Sequence, residues 1–230
     1  MVVRMLAMNN RALKDLLYEQ VARIGKAVSS PKRLELLELL AQGEKSVEAL
    51  AAELSIDIKL ASAHLKVLRE AYLVAARKDG KFVLYRLASA DVASLWVALR
   101  ETAQEHLVEL SMAVNALTVT HDKLASISRE QLLERARRGT IILIDVRPRA
   151  EFEHSHLPYA RSMPLDEIER RMKELPKSKE IVAYCRGPFC VFSEEAAQLL
   201  RMNHRKVSKL SDGVAEWRAA GLPLESEEVQ

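Results

Sequence analysis

The chain has 230 residues, with 35 Lys and Arg against 32 Asp and Glu, a formal net charge of +3. That charge is too mild to argue for nucleic acid by itself, and the length suits two domains that each bury a core. No run of eighteen apolar residues offers a membrane span, and the first ten residues lack the apolar stretch and cleavage site of a signal peptide. Two cysteines and no export signal predict a reducing, cytoplasmic setting in which the thiols do chemistry rather than staple the fold.

The first half reads as helices. Leu13, Leu16, Leu17, Val21, Ile24 and Val28 fall at helical spacing over 11–28. Ser29-Ser30-Pro31 restarts a helix, with serine as cap and proline in the first turn, and Leu34, Leu36, Leu37, Leu39 and Leu40 carry it towards Gly43. Ser46 opens a third helix that ends near Leu54 and Ser55, and a fourth covers 59–71. Two β-prone runs, 72–77 and 81–87, flank Lys78-Asp79-Gly80 and predict a hairpin.

Helix, turn, helix and hairpin in this order predict a mainly α winged helix-turn-helix with a β-hairpin wing. Ser30-Pro31-Lys32-Arg33-Leu34, Ala49-Leu50-Ala51 and Ser62-Ala63-His64-Leu65-Lys66-Val67-Leu68 resemble the ArsR/SmtB family of dimeric bacterial regulators over residues 11–117. The resemblance implies that the 58–70 helix enters the major groove of operator DNA, with Lys59, Ser62 and Lys66 facing bases or phosphates. His64 either joins them or packs against its own domain. Arg77, Lys78 and Lys81 in the wing are expected on backbone phosphate, which positions the protein without specifying sequence. Ile58 and Leu60 stand where the family often has polar groups.

Many such regulators sense metals. The helix holding 47–54 has no cysteine, and the C-terminal helix offers His106-Leu107-Val108-Glu109 with only Asp91-Val92-Ala93 before it. No metal site is expected. One long helix is predicted over 91–117, with Leu95, Trp96, Leu99, Leu107, Leu110, Val114 and Leu117 as its apolar stripe. By the resemblance this stripe makes a homodimer interface, and a two-fold dimer implies palindromic operators. The DNA-binding and dimerisation domain is thus placed at 1–117, with a linker at 118–127. Ser128 then caps a helix running through Leu132, Leu133 and Ala136 to Gly139.

The second half is predicted to be an α/β domain with a parallel central sheet over 128–226, followed by a tail at 227–230. Ile141-Ile142-Leu143-Ile144-Asp145-Val146-Arg147 is an apolar run ending in charge, as a buried parallel strand ends at its functional edge. Ile181-Val182-Ala183-Tyr184 leads into Cys185-Arg186-Gly187-Pro188-Phe189-Cys190, and a helix begins near Ser193. A thiol where a strand hands over to a helix faces backbone N–H groups and a helix N-terminus, and Arg186 adds a positive charge, all of which favour a thiolate. The turn residues argue against the cysteines being mere core packing.

The Asp145-Val146-Arg147, Glu151-Phe152 and His156-Leu157-Pro158 run, the Cys185-Arg186 loop, and Gly213, Trp217 and Gly221-Leu222-Pro223 in that order resemble the rhodanese family of sulfurtransferases. The resemblance makes Cys185 the nucleophile that holds sulfane sulfur as a persulfide, in a site with Asp145, Arg147, Arg186 and Cys190. The amides of Gly187, Phe189 and Val191 would cradle the outer sulfur. The chain departs from the pattern at Ser155, Tyr159 and Pro188, where glycine is common, and at Cys190, where a basic residue is common. Val191 stands where related phosphatases and arsenate reductases close their longer loop with arginine, so sulfur is favoured over phosphate or arsenate.

The sequence therefore predicts a dimeric DNA-binding transcriptional regulator that senses a small sulfane-sulfur donor by persulfidation of Cys185. No cofactor is expected beyond that covalent persulfide. Cys190 either attacks the persulfide to give a linked product or fills the slot of the usual basic residue. The alternative is a rhodanese-type sulfurtransferase with an autoregulatory DNA-binding domain, and a weaker one is a degenerate rhodanese that only binds or dimerises.

Overall fold

The structure is a computed structural model that describes residues 9–117 and 127–227. The predicted linker, but for Ile127, lies outside the described residues. The chain forms two compact units, residues 1–40 with 44–92, and residues 41–43 with 93–230. No helix among the described residues is long and apolar enough to cross a membrane.

In the first unit, helix α1 is Asn10–Val28 and starts where Asn9 Oδ1 accepts from the Ala12 amide. Helix α2 is Pro31–Ala41. A two-residue strand β1, Lys45–Ser46, precedes helix α3, Val47–Glu53, and Ser46 Oγ caps it by accepting from Ala49 N at 3.2 Å. Helix α4, Ile58–Glu70, is capped by Asp57. Its Ala61, Leu65 and Leu68 form one buried apolar stripe, and Leu65 and Leu68 pack with Leu36, Leu37 and Leu50.

Strands β2, Val74–Asp79, and β3, Phe82–Leu87, pair antiparallel from Val74↔Leu87 to Asp79↔Phe82. Gly80 supplies the positive φ of 57° that the tight turn needs. The first arm starts two residues later than the sequence predicts, because Tyr72 adopts a φ of 60° and turns the chain out of α4. β1 adds to β3, giving the order β1-β3-β2.

The predicted single helix over 91–117 is two helices, α5, Ala90–His106, and α6, Val108–Leu117. At the break Ser111 Oγ donates to the Gln104 carbonyl, and the Leu110 and Ser111 amides donate to Leu107 O. A side chain that bonds backbone in this way competes with the helical ladder, which a count of apolar positions does not register.

The second unit continues with α7, Arg129–Arg137, where Ser128 and Gln131 cap each other reciprocally. Strand β4 is Ile141–Asp145, helix α8 is Arg149–His154, strand β5 is Arg161–Ser162 and helix α9 is Ile168–Arg171. Then follow β6, Glu180–Tyr184, α10, Phe192–Met202, β7, Val207–Lys209, and α11, Val214–Ala219. The sheet is parallel throughout, in the order β5-β4-β6-β7.

Both faces of this sheet are covered, so β4 and β6 run apolar between their charged ends, Asp145 and Glu180, and their apolar residues segregate by parity. Ile142, Ile144, Ile181, Ala183 and Cys185 pack with Ala196, Ala197 and Leu200 of α10. Ile141, Leu143, Val182 and Tyr184 pack on the other face with Leu132, Val214 and Trp217. The carboxyl ends of β4 and β6 converge at Asp145 and Tyr184, where ligands of open parallel sheets bind.

Candidate functional site

The loop from Cys185 to Cys190 leaves the end of β6 and delivers the chain to α10. Parity places Cys185 on the α10 face, only 1% exposed, with Cys190 half-buried against the same cluster. The two are joined by a disulfide across the loop, with a Cα–Cα separation of 6.3 Å, within the span such bonds need. The fold returns Cys190 to Cys185 because the Cys190 amide donates to Gly187 O at 3.1 Å and closes a tight turn. Gly187, at a φ of 141°, supplies a conformation that side chains rarely adopt.

Arg186 points to a carboxylate. Its Nε donates to Glu151 Oε2 at 3.0 Å and its Nη2 to Glu151 Oε1, with Glu151 itself buried. This two-pronged pair anchors the loop to α8, and the carboxylate offsets the charge that the sequence places beside Cys185.

Asp145 and Arg147 form a fully buried pair. Arg147 Nε and Nη2 both reach the Asp145 carboxylate, and Nη2 also donates to Ser155 O at 2.8 Å. Burial pulls the Arg147 guanidinium down in pKa, but the charge and hydrogen bonds of Asp145 outweigh it and leave it raised. Tyr184, wholly buried beside them, accepts from Leu157 N at 3.1 Å. Burial first, then the Asp145 charge, pushes its phenol well above the ordinary range. These groups brace the ends of β4 and β6 beneath the loop.

Two contacts escape a reading of the sequence. Gly213 lies against the loop backbone, and its amide donates to Glu216 Oε2 at 2.6 Å. Glu216 Oε1 in turn accepts from Arg100 Nη1 at 2.6 Å, and both side chains are buried. Gly213 was visible as part of a motif, but Arg100 carries no local signal, since 116 residues separate it from Glu216. A cleft of about 510 Å³ beside the loop is lined by Arg100, Gly187, Pro188, Ser193, Lys209 and Asp212, among others.

In the first unit, Lys59 and Lys66 are exposed on α4, while Ser62 and His64 are half-buried. Positions 59, 62 and 66 share one helical face. Lys66 pairs loosely with Glu70 at 3.9 Å. In the wing, Lys78 and Lys81 are exposed, and Lys81 Nζ lies 5.2 Å from the Phe82 ring centroid. Arg77 is held by Glu44, with Nη2–Oε2 at 2.7 Å, and this hydrogen bond raises its pKa.

Residues 128–220 match the family described as the rhodanese-like domain, and residues 30–76 match the bacterial regulatory protein, arsR family. The chain is 42% identical over 212 residues to the HTH-type transcriptional regulator Rv0324 of Mycobacterium tuberculosis, covering 92% of this chain and 93% of that protein. It is 32% identical over 84 residues to a sulfurtransferase of Allochromatium vinosum, covering 36% of this chain and 78% of that one. The solution structure of a homodimeric winged helix-turn-helix DNA-binding domain from Mycobacterium bovis is 43% identical, with a TM-score of 0.41, covering 45% of this chain and 94% of that one.

Proposed function

Because the chain belongs to the HTH-type transcriptional regulators that join an arsR-family domain to a rhodanese-like domain, we propose that it binds operator DNA as a homodimer and senses sulfane sulfur at Cys185. The observation that carries the reading is the cysteine pair bridged across one loop at the end of β6. The Cys185 thiolate attacks the sulfane sulfur of a donor such as thiosulfate. The donor's S–S bond breaks, sulfite leaves with the electron pair, and Cys185 holds a persulfide. The amides of Gly187, Phe189 and Val191 would be the donors to the outer sulfur, because that of Cys190 is already committed to Gly187 O.

The Cys190 thiolate then attacks the inner sulfur of the persulfide. The Cys185–Cys190 bond forms, the outer S–S bond breaks, and hydrosulfide leaves. The donor is the oxidant for both thiols. Asp145, Arg147 and Arg186 serve here by holding the loop and strand ends, through the bonds to Ser155 and Glu151.

On the DNA side, Lys59, Ser62 and Lys66 on one face of α4 meet the major groove, and Lys78, Lys81 and Arg77 meet phosphate. His64, half-buried, lies on nearly the opposite side of α4 from that face. Of the apolar stripe expected for the dimer, Leu95, Leu99, Leu107 and Leu117 are exposed and supply surface for it together with Leu17, Tyr18 and Val21 of α1, whereas Trp96 is buried against Phe189. The homodimeric state of the related M. bovis domain agrees with this.

The rival reading, a sulfurtransferase enzyme, draws on the Allochromatium relative. A second thiol that discharges the persulfide into a disulfide stops turnover after one event, which favours signalling. The test is to treat reduced full-length protein with thiosulfate or polysulfide and follow binding to duplex DNA from its own promoter region. Release or tightening with stoichiometric cysteine modification supports the sensor. Sustained turnover without any change in DNA binding supports the enzyme.

A further inference from the structure

Helix α5 carries three side chains on one stripe, each four residues apart, with different surroundings. Val92 belongs to the core of the first unit. Trp96 and Arg100 belong to the second. Trp96 meets Phe189 edge-on, with ring centroids 6.2 Å apart and planes at 73°. The Arg100 guanidinium lies 5.8 Å from the Phe189 ring centroid and 6.0 Å from that of Trp96. Phe189 is bonded directly to Cys190.

The same arginine is paired with Glu216, and Gly187 rests on that pair. A Cβ on Gly187 would come within 3.1 Å of Glu216 Oε1 and 3.3 Å of Arg100 Nη1. The loop thus touches α5 at two of its six residues. Arg100 Nε is buried with no hydrogen-bond partner among the described residues. A buried donor without an acceptor is costly, so the bridged arrangement holds a group that gains from any loop movement bringing an acceptor to it.

We propose that Arg100 and Trp96 are positioning residues that read the redox state of the cysteine loop and pass it along α5. Opening the disulfide frees Cys190 and with it Phe189, and the Gly187 turn relaxes over the Arg100–Glu216 pair. A helix transmits a shift at Trp96 and Arg100 to Val92 as a near-rigid rod, over about 12 Å at 1.5 Å per residue. Neither residue touches a reacting sulfur. The inference rests on the sulfur-sensing reading and names the route of its signal.

The experiment uses the full chain in reduced and sulfane-sulfur-treated forms, with operator affinity and sulfur loading measured on both. The variant Arg100→Met/Glu216→Gln leaves no buried charge unpaired and retains an acceptor for the Gly213 amide. In the wild type, treatment should change operator Kd by about tenfold, within the ordinary range of coupled sites. In the double variant the change should shrink below about twofold, with reduced-state affinity and Cys185 loading kept. A double variant that loads sulfur and keeps the full wild-type response overturns the proposal. A wild type with no response removes the sensing reading itself, a separate outcome. Should the double variant fail to fold, Trp96 emission in a Trp217→Phe protein gives the second test. A change on treatment supports contact with the loop, and identical spectra in both states overturn it.

Discussion

Gly213 packs so closely on Cys185 that a Cβ at Gly213 would lie 2.6 Å from the Cys185 carbonyl oxygen and 2.6 Å from the Arg186 carbonyl carbon. Those are backbone atoms, which cannot swing aside as a side-chain end does. Gly213→Ala should therefore displace the loop and cost about 1–3 kcal/mol, as overpacking generally does. Thermal unfolding and mass spectrometry of sulfur loading check this. An alanine variant with wild-type Tm and loading would show that the loop does not need this contact.

The wing contains a reserve of positive charge. Arg77 shares its charge between phosphate and Glu44, so Glu44→Gln should strengthen its phosphate contact, raising affinity for all duplexes alike and steepening the log–log salt dependence by up to about one unit. Arg77→Ala should weaken all duplexes alike, whereas Lys59→Ala should also change sequence preference. Salt titrations of operator binding decide the matter. An unchanged slope in Glu44→Gln would place Arg77 off the DNA.

Tyr184 gives a pH signature. Its phenol is raised by burial and by Asp145, so the folded state keeps a proton that the unfolded chain gives up near pH 10. The unfolded state then binds fewer protons, and stability falls as pH rises above about 10, by about 1.4 kcal/mol per pH unit until the folded pKa is reached. Below pH 10 this group's contribution is fully present. Tyr184→Phe should lack this part of the alkaline loss. Denaturant midpoints measured from pH 8 to 11 compare the two proteins, and parallel curves would contradict the assignment.

Zinc, cadmium and arsenite should not release DNA through the first unit. Residues 47–54 hold no cysteine, and His106 has no matching partner set. Titrating Cys185→Ser/Cys190→Ser with each metal tests this, and release at low micromolar metal would reveal a site overlooked.

Local signals made much of this fold legible. Ser46 announced a helix that it does cap, Lys78-Asp79-Gly80 announced the hairpin, and the apolar runs before Asp145 and Cys185 are the two central strands. The α5–α6 break was hidden because apolar spacing continues through Leu107 while a single serine hydroxyl redirects the backbone. β1 is too short to show a period. In the site, the sequence placed Arg186 beside the thiol but not Glu151 opposite it, 35 residues away. It put the two cysteines on one loop but left their separation to the turn closed by Cys190 N and Gly187 O. Contacts made by long excursions of chain, such as Arg100 with Glu216, leave no pattern in either strand or helix periodicity.

The most direct test of the central claim is mass spectrometry of reduced wild type, Cys185→Ser and Cys190→Ser after sulfane-sulfur treatment, with operator binding measured on the same samples. The wild type should form a disulfide and change its operator affinity, and Cys185→Ser should show neither sulfur loading nor DNA response. Cys190→Ser should gain one sulfur as a Cys185 persulfide and lose most of the DNA response. A Cys190→Ser protein that responds to sulfur as the wild type does would contradict that claim, leaving the persulfide alone as the signal.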